Sequence, residues 1–499
     1  MPRTKRPAKS TRHKLLKAAA WGLPILALAG MGAAWLAYRS LDRMPGELLR
    51  HAEQRLYGHT KLETVGLPLI AMLRARVERE VPPGLPALGK GVQVRPLPPV
   101  RYKDGNPLES ELLDVPSVAP TVQVSTFEEL QKAMQAARPG DVVELQPGRY
   151  AMRGRLSTAN AGRADNPITV RAAMPGTAEI LSTTVEGFFV NQPYWIFENL
   201  TIRGVCDNDG NCEHAFHVVG AAKGTVIRNN RISDFNAHLK VNGDGGRFPD
   251  DGLLQFNTLD NSRPRRTGQP VTPFDLVAAS RWVVADNLVA NFVKAGSNGI
   301  SYGVFMKGGG SQGRIERNLV ICSLTDISAR GDRPGTGARV GISLGGGTTG
   351  GPYCRTPQCM TEHYQGIVAN NVVAHCNDAG IDVNRSEQSV VAHNTLINTG
   401  WIDVRNSPAS AVVYGNWLEG RVRTRGGGWV EDAGNETRAL AGFTAAPDAL
   451  ALGWTSQPPT IAPARAVTRD FCGRPRGAAS PPGAIGTEGV PCAQGARAR

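Results

Sequence analysis

A short unit, an apolar strand-like run interrupted by asparagine, recurs along most of this chain. It reads Phe197-Glu198-Asn199-Leu200-Thr201-Ile202, Ile227-Arg228-Asn229-Asn230-Arg231-Ile232, Gln255-Phe256-Asn257-Thr258-Leu259 and Ala285-Asp286-Asn287-Leu288-Val289. It returns as Glu316-Arg317-Asn318-Leu319-Val320, Ala369-Asn370-Asn371-Val372-Val373, Ala392-His393-Asn394-Thr395-Leu396 and Tyr414-Gly415-Asn416-Trp417-Leu418. With Asn199 and Asn230 taken as the first equivalent pair, the intervals are 31, 27, 30, 31, 53, 23 and 22 residues. A unit this small buries its apolar face only by stacking on copies of itself, so the chain must build a solenoid. The β-branched residues make the coils strands, and asparagines at a fixed corner can bond successive backbones where no water reaches. The 53-residue interval is too long for one coil and predicts another around Val340-Gly341-Ile342-Ser343-Leu344, plus a loop holding Cys354 and Cys359. An added coil would separate Cys322 from Cys376 and disfavours a bond between them.

The solenoid needs a covered first edge, and the sequence supplies one. Ser125-Thr126-Phe127-Glu128 reads as a capping box, with Phe127, Leu130, Met134 and Ala137 at helical spacing and Pro139-Gly140-Asp141 as the stop. Such a helix, ahead of the strand Asp141–Leu145, covers an otherwise open sheet end. Upstream, residues 44–80 read as helical, and the prolines between Val81 and Pro120 read as an extended spacer. The expected division is 1–39, a basic arm and membrane anchor; 40–120, a juxtamembrane segment and linker; and 121–490, the solenoid.

Charge places the arm. The formal net charge is +13, yet residues 1–17 carry +7, residues 18–122 carry +2 and the other 377 residues only +4. A nucleic-acid binder concentrates basic residues on its folded domain, so this distribution argues against one and for a membrane. Ala18–Tyr38 holds no charge, with Trp21 and Trp35 near its ends. At 1.5 Å per residue this reaches about 30 Å, the thickness of a bilayer core, with the basic side cytoplasmic. A signal peptide cleaved after Ala27-Leu28-Ala29 is the alternative; both readings export the solenoid. All eight cysteines follow this segment and their number is even, which fits an oxidising compartment, and the lack of a C-x-x-C pair argues against a zinc knuckle or thioredoxin-type site. Cys206 with Cys212 and Cys354 with Cys359 are spaced to staple loops, and Cys472 with Cys492 to pin the tail.

Phe127-Glu128-Glu129-Leu130, Ala137-Arg138-Pro139-Gly140-Asp141-Val142-Val143-Glu144-Leu145, Gly148-Arg149-Tyr150 and Asn166-Pro167-Ile168-Thr169-Val170-Arg171-Ala172 resemble the opening of right-handed parallel β-helix proteins. More narrowly they resemble the chondroitinase-B and alginate lyase group, polysaccharide lyase family six. The ending Asp470-Phe471-Cys472-Gly473-Arg474-Pro475-Arg476 with Gly483-Ala484-Ile485-Gly486 is similar to tails in such proteins. The resemblance spans about residues 121–490. It implies an all-β, single-stranded right-handed parallel β-helix of the pectate-lyase-like kind, with an N-terminal capping helix and, from the arm, one preceding transmembrane helix. The activity it implies is β-elimination of an acidic, uronic-acid polysaccharide by a monomer, with calcium as a possible cofactor. The alternative is a noncatalytic carbohydrate-binding or envelope-structural β-helix.

Under the resemblance, Lys240 in His238-Leu239-Lys240-Val241-Asn242 is the candidate base. The family pattern has serine after this lysine, where Val241 stands, and an arginine on the next coil, where counting back from Asn287 gives Val277. Arg247, Arg263, Arg265 and Arg266 are the candidates to replace that charge. Lys307 and Arg339 are candidate substrate-binding cations, and Lys294 is another groove cation. Asp207, Asp209 and Asn211 alternate oxygen ligands as a calcium loop does, although a stapled turn explains the same letters. His214 and His217 suit either a metal pair or partnered structural histidines. Asp250-Asp251 resembles the paired acids of β-helix polygalacturonases, but the Gly-His-Gly segment of that family is absent from the sequence, as is the Asp-Pro-His-Glu signature of uronan epimerases. The glycine runs after Lys307 and Leu344 lack the Gly-Lys-Ser/Thr ending of a phosphate loop and suit coil corners or close approach by a sugar.

Overall fold

A computed structural model describes residues 52, 56, 60–77, 91–93, 97–110, 118–295, 299–323, 340–346, 349–376, 378–397, 399–437, 444–446, 451–452, 459–464 and 467–486. Three long parallel sheets of twelve, eleven and ten strands run side by side. Each coil contributes one strand to each sheet: Trp195–Glu198 to the first, Thr201–Gly204 to the second and His214–Val219 to the third. Every strand pairs with its counterpart one coil on, as Phe197 does with Ile227 and Ile202 with Ile232. The result is a parallel β-helix. Its core is a column of inward side chains, seen in the third sheet as Phe216, Leu239, Phe274, Val304 and Ile342, all fully buried.

The asparagine corner has a definite geometry. The residue ahead of it adopts left-handed backbone, as Phe256 (φ 56°), Asp286 (56°) and Arg317 (54°) do, which folds the first-sheet strand sharply into the second. The asparagine then bonds along the stack: Asn257 N donates to Asn287 Oδ1 at 2.8 Å, and Asn287 N to Asn318 Oδ1 at 3.0 Å. This ladder begins at Asn230, whose Oδ1 accepts Leu200 N, and ends at Asn435. The expected assignment of Asn199 was one residue out of register. Asn199 takes the left-handed position, level with Asn229, and Leu200 occupies the ladder corner.

The long interval is a single coil. Asn318 N donates directly to Asn371 Oδ1 at 2.9 Å, and Leu319–Ile321 pairs with Val372–Ala374. Val340–Leu344, expected to form an extra coil, is this coil's strand in the third sheet. Enlarged connections on either side of that strand fill the remaining length. Cys322 and Cys376 therefore lie on adjacent coils and are bonded, contrary to the sequence expectation. Cys206–Cys212 and Cys354–Cys359 form as expected. Cys472 is disulfide-bonded, while Cys492 lies outside the described residues.

Helix α1 (Thr60–Val77) falls within the expected helical segment, and α2 (Phe127–Ala136) caps the solenoid. The capping box of α2 is Thr126 with Glu129, one residue on from the expected pair. The proline-rich stretch is not simply a spacer, because residues 91–93 and 97–110 lie along the outside of the first sheet. Val100 and Tyr102 pack on Ile196, Val226 and Leu253, Gln93 bonds Asn229, and Glu109 pairs with Arg317. At the other end Phe471, Ala484 and Ile485 cover Leu288, Leu319 and Val372 on the second sheet. Among the described residues no helix is long and apolar enough to cross a membrane, and Ala18–Tyr38 lies outside them.

Candidate functional site

With chain segments laid over the first and second sheets, the outside of the third sheet is where polar side chains gather. Strand alternation points Phe216 and Val218 inward and His217 outward. Parallel register then aligns one outward residue per coil in the file Phe189, His217, Lys240, Asp275 and Phe305. A second file, two residues further along each strand, holds Asn242, Val277 and Lys307.

The centre is Asp275, flanked by two lysines. Lys240 donates to Asp275 Oδ2, and Lys307 Nζ stands 3.7 Å from Oδ1 while also lying 4.3 Å over the Phe305 ring. Burial pushes the Asp275 carboxyl up, but the two ammonium groups outweigh it and hold its pKa below the ordinary value. The sign of the pH effect follows. A carboxyl whose pKa is depressed on folding contributes stability that is complete above the unfolded value of about 3.9 and is lost as pH falls through the folded value. Urea unfolding across acidic pH should therefore show a steeper loss of stability below about pH 4 in the wild type than in Asp275→Asn. Equal slopes would remove this contribution.

His217 sits one coil earlier. Its Nδ1 is 2.7 Å from Glu186 Oε1 and its Nε2 is 2.7 Å from Asn242 Oδ1, while the Asn242 amide nitrogen donates to Gly243 O at 3.0 Å. Both ring nitrogens thus face side-chain oxygens. Burial raises the Glu186 carboxyl, but hydrogen bonds from Arg155 and His217 bring its pKa below the usual range. His214 is pushed down to about 4 by burial and by His217 and Lys240, so its imidazole is neutral at neutral pH. The histidines are thus one partnered and one neutral group. Among the described residues no group of three or more His, Cys, Asp or Glu is placed to hold a metal ion.

Pinned loops flank this face. Where the chain enters it, Asp209 accepts from Arg263 at 2.9 and 2.7 Å, pairs with Arg265 at 3.1 Å, and accepts the Arg266 backbone N–H at 2.6 Å. The candidate calcium loop is therefore corrected. Asp209 is buried against guanidinium groups, Asp207 and Asn211 are exposed, and the donor set does not fit calcium. The Arg263 and Arg265 side chains serve this clamp rather than the Lys240 file, which removes them as replacements for the charge absent at Val277, while Arg266 joins it through its backbone N–H alone. Arg247 is exposed in the turn Asp244–Arg247, and Arg339 lies outside the described residues. Where the chain leaves the face, Arg355 grips Asp250 at 2.8 and 2.9 Å beside the Cys354–Cys359 staple, and Arg281 pairs with Asp251. These two acids are consequently engaged as structural partners.

Of the expected site residues, the structure brings Lys240 and Lys307 together. Lys307 is the register partner of Val277, so a cation stands in the file of that position one coil later. Sequence reasoning missed Asp275, Glu186 and Asn242; their signal was the strand register, which only the aligned coils reveal.

Fold and site define a class: a parallel β-helix with a charged file on one outer face. No family model matches the chain, and no curated protein matches it. Similar solved structures include pectate lyase Pel9A, at 15% identity over 72% of this chain and 90% of that one, with a TM-score of 0.47. An alginate lyase from Paenibacillus sp. str. FPU-7 matches at 15% identity over 63% and 99%, with a TM-score of 0.38. A PL6 family polysaccharide lyase from Pseudopedobacter saltans matches at 14% identity over 65% and 90%, with a TM-score of 0.31. At these identities the likeness is one of fold.

Proposed function

We propose that this protein is an exported, membrane-anchored β-helix that cleaves an acidic, uronic-acid polysaccharide by β-elimination on the outside of its third sheet. The observation that carries the reading is the Lys240–Asp275–Lys307 cluster, with His217 one coil before it. Around two carboxylates, Glu186 and Asp275, stand Arg155, His217, Lys240 and Lys307, which suits a uronate. In this reading Lys307 faces the uronate carboxylate. Lys240, having passed a proton to solvent, takes the proton from the adjacent carbon. That electron pair forms the new carbon–carbon double bond, the glycosidic carbon–oxygen bond breaks, and the departing oxygen takes a proton from His217. The disulfides support an oxidising setting outside the cytoplasm.

One observation favours a second reading. Lys240 is engaged by Asp275, and a lysine kept in an ion pair binds an anion more readily than it abstracts a proton. The full chain should be incubated with alginate, chondroitin, dermatan and pectate while the ultraviolet absorbance of an unsaturated uronyl end is followed. Growth of that absorbance with one of them is the expected result. No growth with any, alongside retained binding, establishes the noncatalytic carbohydrate-binding reading instead.

A further inference from the structure

The charged file does not stop at Phe305. Its next members are Ser343, Asp382, Asp403 and Arg423, and the neighbouring file continues through Asn384, Arg405 and Arg425. Asp382 and Asp403 are almost fully buried. Arg405 grips Asp382 at 2.7 and 2.8 Å, while Arg423 and Arg425 both converge on Asp403, at 3.1 and 2.7 Å. Three guanidinium groups thus gather on two buried carboxylates at this end of the face. The guanidinium groups are also held in place from below, since Arg423 lies 4.4 Å over the buried Trp401 ring. Arg425 is 51% exposed, so part of its donor fork faces solvent. Four residues on, across a turn closed by Gly428 N donating to Arg425 O at 3.1 Å, Trp429 is 58% exposed. An exposed aromatic ring at the corner that follows a held guanidinium suits a charged sugar: the ring can stack on the apolar face of a pyranose, and the fork can take an acid group.

The geometry points to a second anionic-sugar subsite at the final coils, formed by Arg405, Arg423 and Arg425 on the same face as Lys240 and Lys307, with Trp429 at the corner where the chain passes on to the first sheet. It rests on the reading that this face takes an acidic polysaccharide. The two clusters lie six coil steps apart from Lys240 to Arg423, which at about 4.8 Å per step is about 29 Å. One extended polyanion spans both, whereas a fragment of less than half that length occupies one at a time.

The test uses the full chain and size-fractionated alginate and pectate oligouronides, some longer and some much shorter than this span. Arg405 is left intact because removing it would strand the buried Asp382, and Arg423 because it must go on holding Asp403 once Arg425 is gone. Arg425→Ala and Trp429→Ala change exposed side chains. The expected result is that the double variant loses about tenfold in affinity for the long fragments, keeps its affinity for the short ones, and retains wild-type stability. Wild-type preference for long fragments in the double variant overturns the second subsite while leaving the uronan reading standing. A wild-type protein that binds neither length overturns both, and the two failures are thereby distinguished.

Discussion

Lys240→Ala is expected to lower uronan cleavage by at least about 100-fold while changing polymer affinity far less. The asymmetry follows from the face itself. Arg155, His217 and Lys307 remain to attract the glycan, but the amine that receives the proton is gone. Lys240→Arg is the sharper comparison. It retains a cation beside Asp275, yet a guanidinium stays protonated at any working pH and offers no base. It should fold, bind and fail to turn over. Turnover of Lys240→Arg within a few-fold of the wild type would dismiss Lys240 as the base.

Asn287→Ala should cost about 4 kcal/mol of stability, read as the shift in urea unfolding. Asn287 Oδ1 accepts Asn257 N and Nδ2 at 2.8 and 3.0 Å, and Asn287 Nδ2 donates to Leu254 O, Ala285 O and Asn318 Oδ1, each at 2.9 Å. All of this is buried, so alanine takes from the Asn257 backbone N–H its acceptor, and from the stacked amides their link, where water does not reach. Asn287→Asp tests the same point from the other side, since a carboxylate accepts but does not donate, and it would face the Asn318 oxygen. Asn211→Ala, in an exposed turn, is the control. A loss at Asn287 no larger than at Asn211 would mean that the ladder is not a source of stability.

The solenoid, its capping helix and two of its disulfides were legible because each is local or periodic. An asparagine must return to the same corner once per coil, and Thr126 with Glu129 acts within one helical turn. Register was legible only to within one residue, since Asn199 and Asn230 both stand in asparagine-bearing repeats while only Asn230 is in the ladder. The site was legible in part. Lys240 lies 10 residues after its ladder asparagine, Asn230, whereas its neighbour Asp275 lies 18 after Asn257. The connections from the second sheet to the third differ in length from coil to coil, so side chains that touch share no fixed offset. The arginines at 263–266 misled for a related reason: they follow Lys240 closely in sequence, but their loop turns back onto Asp209.

A stack in which each coil touches only its neighbours is one-dimensional, and such an array can peel from an end one unit at a time. The strap formed by residues 91–93 and 97–110 changes the response to load. It grips Asn229 through Gln93, Gln255 through Ser110, and Arg317 through Glu109, contacts spread over several coils. Tension entering from the N-terminal side must therefore break these contacts together in shear before the first coil can unzip. Under the proposed N-terminal tether, the strap would be the mechanical joint that shields the charged outer face of the third sheet from that pull.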